Sequence, residues 1–206
     1  MNVKSLATAG AIAALSLGSA SGAFAQAAPT VTHGAPIAGV CVFSAEGAVS
    51  DSTVGKYINT RMQQIIAQVN AELNTEKTGI DNDAKALEGQ RASLDQATLQ
   101  KRVNDLNTRA ANLQRKAQLR DREVGATEQK AVGRVLQEMQ PLLATAYQSK
   151  SCSLLLNGQA VTWANPSMDL TDAVVAQLNT KLTQFAFDRE RLDQAAAGGQ
   201  AAPAKK

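Results

Sequence analysis

The sequence of 206 residues predicts an α+β protein in which a small β-sheet body, built from both chain ends, carries a long α-helical coiled-coil hairpin. Two observations indicate this fold. Apolar residues recur at alternating spacings of four and three through the middle of the chain, which is typical of a coiled-coil seam. Aromatic residues, which carry much of the burial in a compact core, do not occur between Tyr57 and Tyr147. The middle of the chain is therefore expected to project from the body as an arm.

The predicted arm comprises residues 53–150 and turns back on itself near Gly89 to Thr98. In its second half the seam is regular and contains Leu99, Val103, Leu106, Ala110, Leu113 and Ala117, and the same frame resumes at Val124, Thr127 and Ala131. In the first half, the frame of Ile58, Met62, Ile65 and Val69 continues only after a shift of one residue. Such a shift changes the local supercoil without ending the helix.

The first 25 residues have the three parts of a secretory signal peptide: a basic start at Lys4, an apolar run over residues 6–17, and the small-x-small sequence that ends at Ala25. Cleavage is expected after Ala25. A retained membrane anchor is disfavoured, because polar residues interrupt the run before it reaches the length of about 20 residues that spans a bilayer. The mature protein should be exported, and the loss of Lys4 changes its net charge from +3 to +2.

Two segments lack the composition of a folded core. Residues 26–36 contain two prolines and a glycine and predict a flexible leader, and residues 195–206 predict a disordered tail. The only histidine, His33, lies in the leader with no second histidine or thiol beside it. A metal-binding or acid-base role is therefore not expected for His33.

The predicted body comprises residues 37–52 and 151–194. Three strands are expected, over residues 37–44, 152–156 and 160–164, with Asn157-Gly158 as a hairpin turn between the last two. A closing helix that begins at Asp169 or Thr171 presents an apolar face formed by Leu170, Val174, Val175, Leu178 and Leu182. A sheet of three strands has exposed edges and is marginally stable alone, so self-association through the body is expected.

The two cysteines, Cys41 and Cys152, lie in the first and second predicted strands. In an oxidising compartment they are candidates for a disulfide that fastens both ends of the arm at its root. The closed loop would contain 111 residues (152 minus 41), for which chain entropy gives roughly 4–5 kcal/mol as an upper figure. Two buried free thiols are the alternative.

Charge is distributed unevenly along the arm. Residues 85–123 contain nine bases and five acids, whereas residues 51–84 contain three bases and five acids. Such a basic region can attract anionic partners, and the candidate contacts are Lys101, Arg102, Arg109, Arg115 and Lys116. The alternative is a solvated helix face with ordinary ion pairs. Nucleic acid is not expected as a partner, because export removes the protein from the compartment that holds it. Anionic lipid and a soluble acidic segment both stay open as partners.

The helices of the arm contain residues that weaken a helix, namely Gly79, Gly89, Gly125, Gly133 and Pro141. One interpretation is that the arm flexes and changes the width of a cavity beside it. The other is that these are tolerated surface positions, and the sequence does not separate the two.

The final block of the chain reads Leu-Leu-Leu-Asn-Gly-Gln-Ala-Val-Thr-Trp-Ala at residues 154–164 and Asp-Leu-Thr-Asp-Ala-Val-Val at residues 169–175. Together with the signal peptide, one strand and the helical hairpin, this block resembles the Skp/OmpH family of periplasmic chaperones over residues 37–182. The two cysteines lie outside the family's general pattern.

The resemblance implies a jellyfish-like homotrimer whose bodies associate through short strands and whose three arms enclose a cavity. It implies an ATP-independent holdase in the periplasm that binds unfolded outer-membrane β-barrel proteins and prevents their aggregation. The basic region of the arm would correspond to the family's positively charged tips.

A non-catalytic coiled-coil spacer or adaptor of the bacterial envelope is the alternative function. An enzyme is not expected, because the sequence has no cofactor motif and no nucleophile beside a base at a recognisable spacing. Gly55-Lys56 does not form a phosphate loop, since Tyr57 stands where that loop requires Ser or Thr. No catalytic residue, metal or cofactor is therefore predicted.

Overall fold

The structure, a computed structural model, describes residues 31–192. Its elements in chain order are β1 (Val40–Phe43), α1 (Ala45–Asp51), α2 (Thr53–Gln90), α3 (Gln96–Ser149), β2 (Leu154–Asn157) and α4 (Thr171–Lys181). Two single turns of 3-10 helix, Gly158–Ala160 and Pro166–Met168, lie between β2 and α4. The compact unit described below begins at His33. The predicted signal peptide, the tail, and the leader up to Thr30 lie outside the described residues.

The sheet of the body has two strands. β1 and β2 pair in parallel, with Val40 opposite Leu154 and Phe43 opposite Asn157. The two strands come from opposite ends of the folded chain, and both α2 and α3 lie in the connection between them. On the other side of β1, the Leu170 N–H donates to the Val42 carbonyl at 2.9 Å, which extends the pairing by one bridge. The small sheet built from both ends is thus present, with two strands and not three.

The predicted hairpin at Asn157-Gly158 is wrong. A tight turn of that type requires positive φ at both central residues, whereas Asn157 has φ −71° and ψ 123°. Its side-chain oxygen accepts a hydrogen bond from the Gln159 N–H at 3.0 Å, which starts the 3-10 turn Gly158–Ala160. Residues 161–165 form no strand. The local hydrogen bond of Asn157 therefore redirects the chain away from an antiparallel return.

The long helices α2 and α3 form the predicted hairpin, and residues 91–95 make its turn. Side-chain oxygens cap both helices: Ser52 accepts from the Gly55 N–H at 3.0 Å, and Asp95 accepts from the Thr98 N–H at 2.9 Å. α3 continues without interruption through Gly125, Gly133 and Pro141.

Burial divides the hairpin into an inner and an outer part. Near the body, the predicted frame of α2 packs against α3 in one core that contains Ile58, Met62, Ile65, Ala131, Val135 and Met139. In the outer part, Leu87 is buried, whereas the regular seam of α3 from Leu99 to Ala117 is half-buried or exposed. The frame predicted for the first half of the hairpin is buried near the body, whereas the outer seam of α3 is only partly covered.

The two short helices close the body. α1 was not predicted; its first turn is capped by the Ser44 hydroxyl, which accepts from the Gly47 N–H at 3.0 Å. The Thr171 hydroxyl at the start of α4 accepts from the Ser44 N–H at 3.0 Å and ties the two helices together. α4 begins where the sequence predicted, and its apolar face buries Leu170, Val174 and Leu178 completely.

The aromatic residues of the predicted body do not all lie in its core. Phe185 and Phe187 pack against the inner part of the hairpin, in a segment that follows α4. We call residues 183–192 the strap. Trp163 is 73% exposed. The core of the described chain is instead aliphatic, with Phe43 as its buried aromatic residue.

Candidate functional site

The strap lies against both long helices of the hairpin. Its contacts proceed from Tyr57 to Glu72 on α2 and from Arg134 to Glu123 on α3. Both progressions lead away from the body, so the strap follows the hairpin outward. We call the surface of α2 and α3 beneath it the strap groove.

Two phenylalanines anchor the strap at its inner end. The ring of Phe187 meets Tyr57 edge to face at 6.3 Å between centroids, and Phe185 and Phe187 are 5.4 Å apart. The guanidinium of Arg134 lies over the ring of Phe185, 4.4 Å from its centroid, in a cation–π contact. An open cleft of about 840 Å³ continues from these rings along α3. The inner end of the strap groove is therefore an aromatic-binding surface with room beside it.

A cluster of charged side chains binds the outer end of the strap. Glu123 is fully buried and accepts a hydrogen bond from Arg120 Nη1 at 2.9 Å. Arg189 Nε lies 3.2 Å from Glu123 in an ion pair without a hydrogen bond. Glu72 receives Arg120 Nη2 at 3.1 Å, Arg189 Nη1 at 3.2 Å and Lys116 Nζ at 3.0 Å. Three elements, α2, α3 and the strap, therefore meet in one network of opposite charges.

The electrostatics of this network favour the ionised forms. Hydrogen bonds from Arg120, against a smaller opposing effect of burial, lower the pKa of Glu72 to about 2. The hydrogen bonds that Lys116 donates to Glu76 and Glu72 raise the pKa of Lys116, and those that Arg120 donates to Glu72 and Glu123 raise the pKa of Arg120. Glu72, Lys116 and Arg120 therefore stay charged through the physiological range.

Side chains of the hairpin also bind the backbone of the strap. Arg61 Nε donates to the Phe187 carbonyl at 3.3 Å. The Glu190 N–H donates to the Thr127 hydroxyl at 2.9 Å, and the Leu192 N–H donates to Glu123 Oε1 at 3.2 Å. These three hydrogen bonds involve groups that every residue except proline carries.

The five basic residues predicted from the sequence do not act alike. Arg102, Arg109 and Lys116 recur at a spacing of seven and reach across to α2, where their partners are Gln90 at 2.7 Å, Asp83 at 2.5 Å and Glu76 at 2.8 Å. Lys101 and Arg115 are exposed, and within residues 31–192 neither forms a hydrogen bond or an ion pair with α2; Arg115 donates to Asn112 on its own helix. Three of the five predicted basic residues therefore form contacts between α3 and α2.

The disulfide lies at the root of the hairpin. Cys41 in β1 is bonded to Cys152, which precedes β2, and their Cα atoms are 5.9 Å apart. This bond links the chain before the two long helices to the chain after them, and the sequence separation is 111 residues.

Sequence reasoning missed the strap groove, although one signal was available. The seam frame of α3 runs through Leu113 and Ala117 to Val124, and the intervening seam position is Arg120. A charged residue at a seam position is costly unless it is paired, so it marks a place where the coiled coil makes a specific polar contact. Nothing in the local sequence indicated that the strap supplies part of that contact.

Two kinds of site were looked for within residues 31–192. No group of three or more potential ligands there is placed to hold a metal ion. None of the helices in that range has the length and apolar character needed to cross a membrane.

The fold defines a protein with a long helical hairpin on a small α+β body, fastened by a parallel strand pair. Residues 39–178 match the model of the OmpH-like outer membrane protein family. The chain belongs to this family.

Solved structures include one that is similar to this chain over most of the length of both chains. It is the crystal structure of a proposed outer membrane chaperone (OmpH-like) from Caulobacter crescentus CB15, with a TM-score of 0.76 and 49% sequence identity. The match covers 80% of this chain and 98% of that chain. No curated protein matched the chain.

Proposed function

We propose that this protein is an ATP-independent chaperone of the periplasm, which holds unfolded outer-membrane β-barrel proteins between its helical arms and prevents their aggregation. Membership of the OmpH-like family and similarity to a proposed outer membrane chaperone support the general role. The observation that carries the finer proposal is the outer half of the hairpin, where the apolar seam of α3 is only half-covered. Unfolded barrel segments alternate apolar and polar side chains and need such surfaces while they are in water.

The body is proposed to assemble the protein as a homotrimer. Three exposed large apolar side chains, Ile37, Leu156 and Trp163, line one cleft of the body, and Leu154 is also exposed. Within the described residues β2 pairs only with β1, so its second edge is available. Contiguous exposed apolar side chains on a soluble protein mark a contact surface. Three copies joined there would place three hairpins around one cavity.

The periplasmic location is proposed from the predicted signal peptide, residues 1–25, and from the disulfide. An oxidising compartment permits the bond between Cys41 and Cys152 to persist. Lys101 and Arg115, which are exposed, are proposed as the contacts for anionic groups of clients or of the membrane surface.

Light scattering tests the holdase function. A urea-denatured outer-membrane barrel protein is diluted into buffer with increasing amounts of the mature protein, without nucleotide. Scattering is expected to fall in proportion to chaperone and to reach a minimum near one assembly per client. Unchanged scattering at excess protein contradicts the proposal and favours a spacer or adaptor, which would have a defined envelope partner.

A further inference from the structure

We propose that the strap groove is a binding site for extended client segments with aromatic residues at alternate positions, and that the strap occupies it as an internal competitor. This inference rests on the proposed holdase function and names one place on the hairpin where a client segment binds. Four observations on the described residues support it.

The groove recognises the strap partly through its backbone. Arg61 binds the carbonyl of Phe187, Thr127 binds the N–H of Glu190, and Glu123 binds the N–H of Leu192. Each of these hydrogen bonds would form equally with another sequence, because the groups bound are common to nearly all residues. A surface of this kind suits a chaperone whose clients differ in sequence.

The side chains of the strap alternate in burial over residues 185–189. Phe185 and Phe187 are half-buried against the hairpin, whereas Ala186 and Asp188 between and after them are exposed. Alternation with a period of two is the pattern of an extended chain with one apolar face. Strands of membrane barrels carry the same pattern, with aromatic girdles at both interfaces. The strap therefore presents to the groove the chemistry of a barrel strand.

The groove also offers both signs of charge. Two basic residues of the groove pair with acids of the strap: Arg61 Nη2 lies 2.6 Å from Asp188, and Lys130 lies 2.8 Å from Glu190. Two acidic residues of the groove, Glu72 and Glu123, form ion pairs with Arg189 of the strap. Basic and acidic residues on the polar face of a client segment would each find a partner there. Pairs such as Lys130–Glu190, in which the lysine is largely exposed, contribute little to stability, so they do not fix the strap permanently.

The strap joins α4 directly, so it competes at high effective concentration. The apparent client affinity is the intrinsic affinity multiplied by the fraction of molecules whose groove is open. If the groove is open in about a tenth of molecules, removal of the strap anchors raises the apparent affinity about tenfold. Competition of this kind keeps an aromatic surface covered until a client displaces the strap.

The decisive variant is F185S/F187S in the full mature protein, because it removes both aromatic anchors and leaves every ion pair of the strap. A186S is the matched control, since Ala186 lies between the anchors and is exposed. The probe is a fluorescent peptide with the sequence of residues 182–192, and its own control is the same peptide with serine at both phenylalanine positions.

The peptide is expected to bind F185S/F187S, measured by fluorescence anisotropy, and to bind wild type and A186S at least about tenfold more weakly. An unfolded barrel protein should displace the bound peptide and should itself bind F185S/F187S more tightly than wild type. Equal peptide binding to all three proteins overturns the inference, as does weaker client binding by F185S/F187S.

Amide exchange of the wild-type protein keeps the inference testable if the double variant does not fold. Client binding should accelerate exchange at the N–H groups of Glu190 and Leu192, because the strap leaves the groove. Unchanged exchange with bound client overturns the inference. This failure differs from failure of the holdase function, in which wild type does not suppress scattering at all.

Discussion

At position 120 the frame of the coiled coil requires an apolar side chain, and the chain has an arginine. Arg120 is buried with Glu123 one turn away on α3, and it reaches Glu72 on α2. Buried ion pairs cost desolvation energy and add little net stability, but they fix which surfaces meet. The cluster therefore sets the register between α2 and α3 at the place where Arg189 of the strap joins them.

The same cluster predicts a response to acid. The pKa of Glu72 is lowered from 4.5 to about 2, so its ionised form stabilises the native state above pH 4.5. That contribution is lost as the pH falls from 4.5 towards 2. E72Q is expected to lower the urea midpoint at pH 7, and its difference from wild type should shrink across this window.

Measurements at several pH values on wild type and variant isolate Glu72 from the other carboxylates. E128Q is the control, because Glu128 is exposed and forms no ion pair within residues 31–192. Its difference from wild type should be small at every pH. A difference between wild type and E72Q that stays constant from pH 7 to pH 2 contradicts the assignment.

Gly55 gives a second prediction at the scale of single residues. It is buried near the start of α2, and a Cβ added there would lie 1.7 Å from the Val49 carbonyl oxygen. Because the obstacle is backbone, α1 and α2 would have to separate. G55A should destabilise the protein by about 1–3 kcal/mol in urea unfolding at fixed protein concentration.

Gly125 provides the matched control for Gly55, since it also lies within a helix but has no atom within 4 Å of an added Cβ. G125A should stabilise the protein by up to about 1 kcal/mol through helix propensity. If both substitutions stabilise equally, the close packing of α1 on α2 is not present. G125A also tests whether interior glycines loosen the arm, through slower amide exchange around position 125.

At the scale of elements, the sequence predicted the parts that are determined locally. The period of apolar residues, the caps at Ser52 and Asp95 and the turn over residues 91–95 are all encoded within a few residues of where they act. The same is true of α4. The missed features depend on contacts between distant segments, since β1 and β2 pair across both long helices and the strap docks 126 positions from Arg61.

The two wrong assignments in the body have the same origin. Asn157-Gly158 has the composition of a hairpin turn, but Asn157 starts a 3-10 turn, and the chain goes on to pair residues 169 and 170 with β1 instead of returning along β2. Trp163 is a large aromatic residue within the predicted third strand, but the described chain leaves it exposed. Its surface position agrees with the proposed association of bodies, which a single sequence does not reveal.

The division of the hairpin into inner core and outer seam gives a prediction on matched residues. Val135 is fully buried and Val103 is 37% exposed, and both lie in α3. V135A should cost about 2–3 kcal/mol, because two methyl groups are removed from a closed core. V103A should cost less than about 1 kcal/mol. Urea unfolding of both variants checks this, and equal costs would indicate that the outer seam is covered in the assembled protein.

At the scale of the whole molecule, the body must hold the ends of two helices of 38 and 54 residues with a sheet of only two short strands. Such a sheet is marginal alone. The disulfide adds a covalent link at the same place, between β1 and the chain that leads into β2. The fold therefore depends on the body being closed.

Removal of the disulfide tests this dependence. C41A/C152A removes the link that constrains the unfolded chain across 111 residues. The free energy of unfolding is expected to fall by up to roughly 4–5 kcal/mol. Alanine avoids placing a new polar group at the buried Cys41 position. Far-UV circular dichroism should show that the helices persist at 25 °C, because the buried residues of α2 and α3 pack against each other with or without the bond. Mass analysis of the untreated wild type should find no alkylatable thiol. Two alkylatable thiols, or a double variant as stable as wild type, would show that strand pairing and association of the bodies are enough to close the root of the arm without the covalent link.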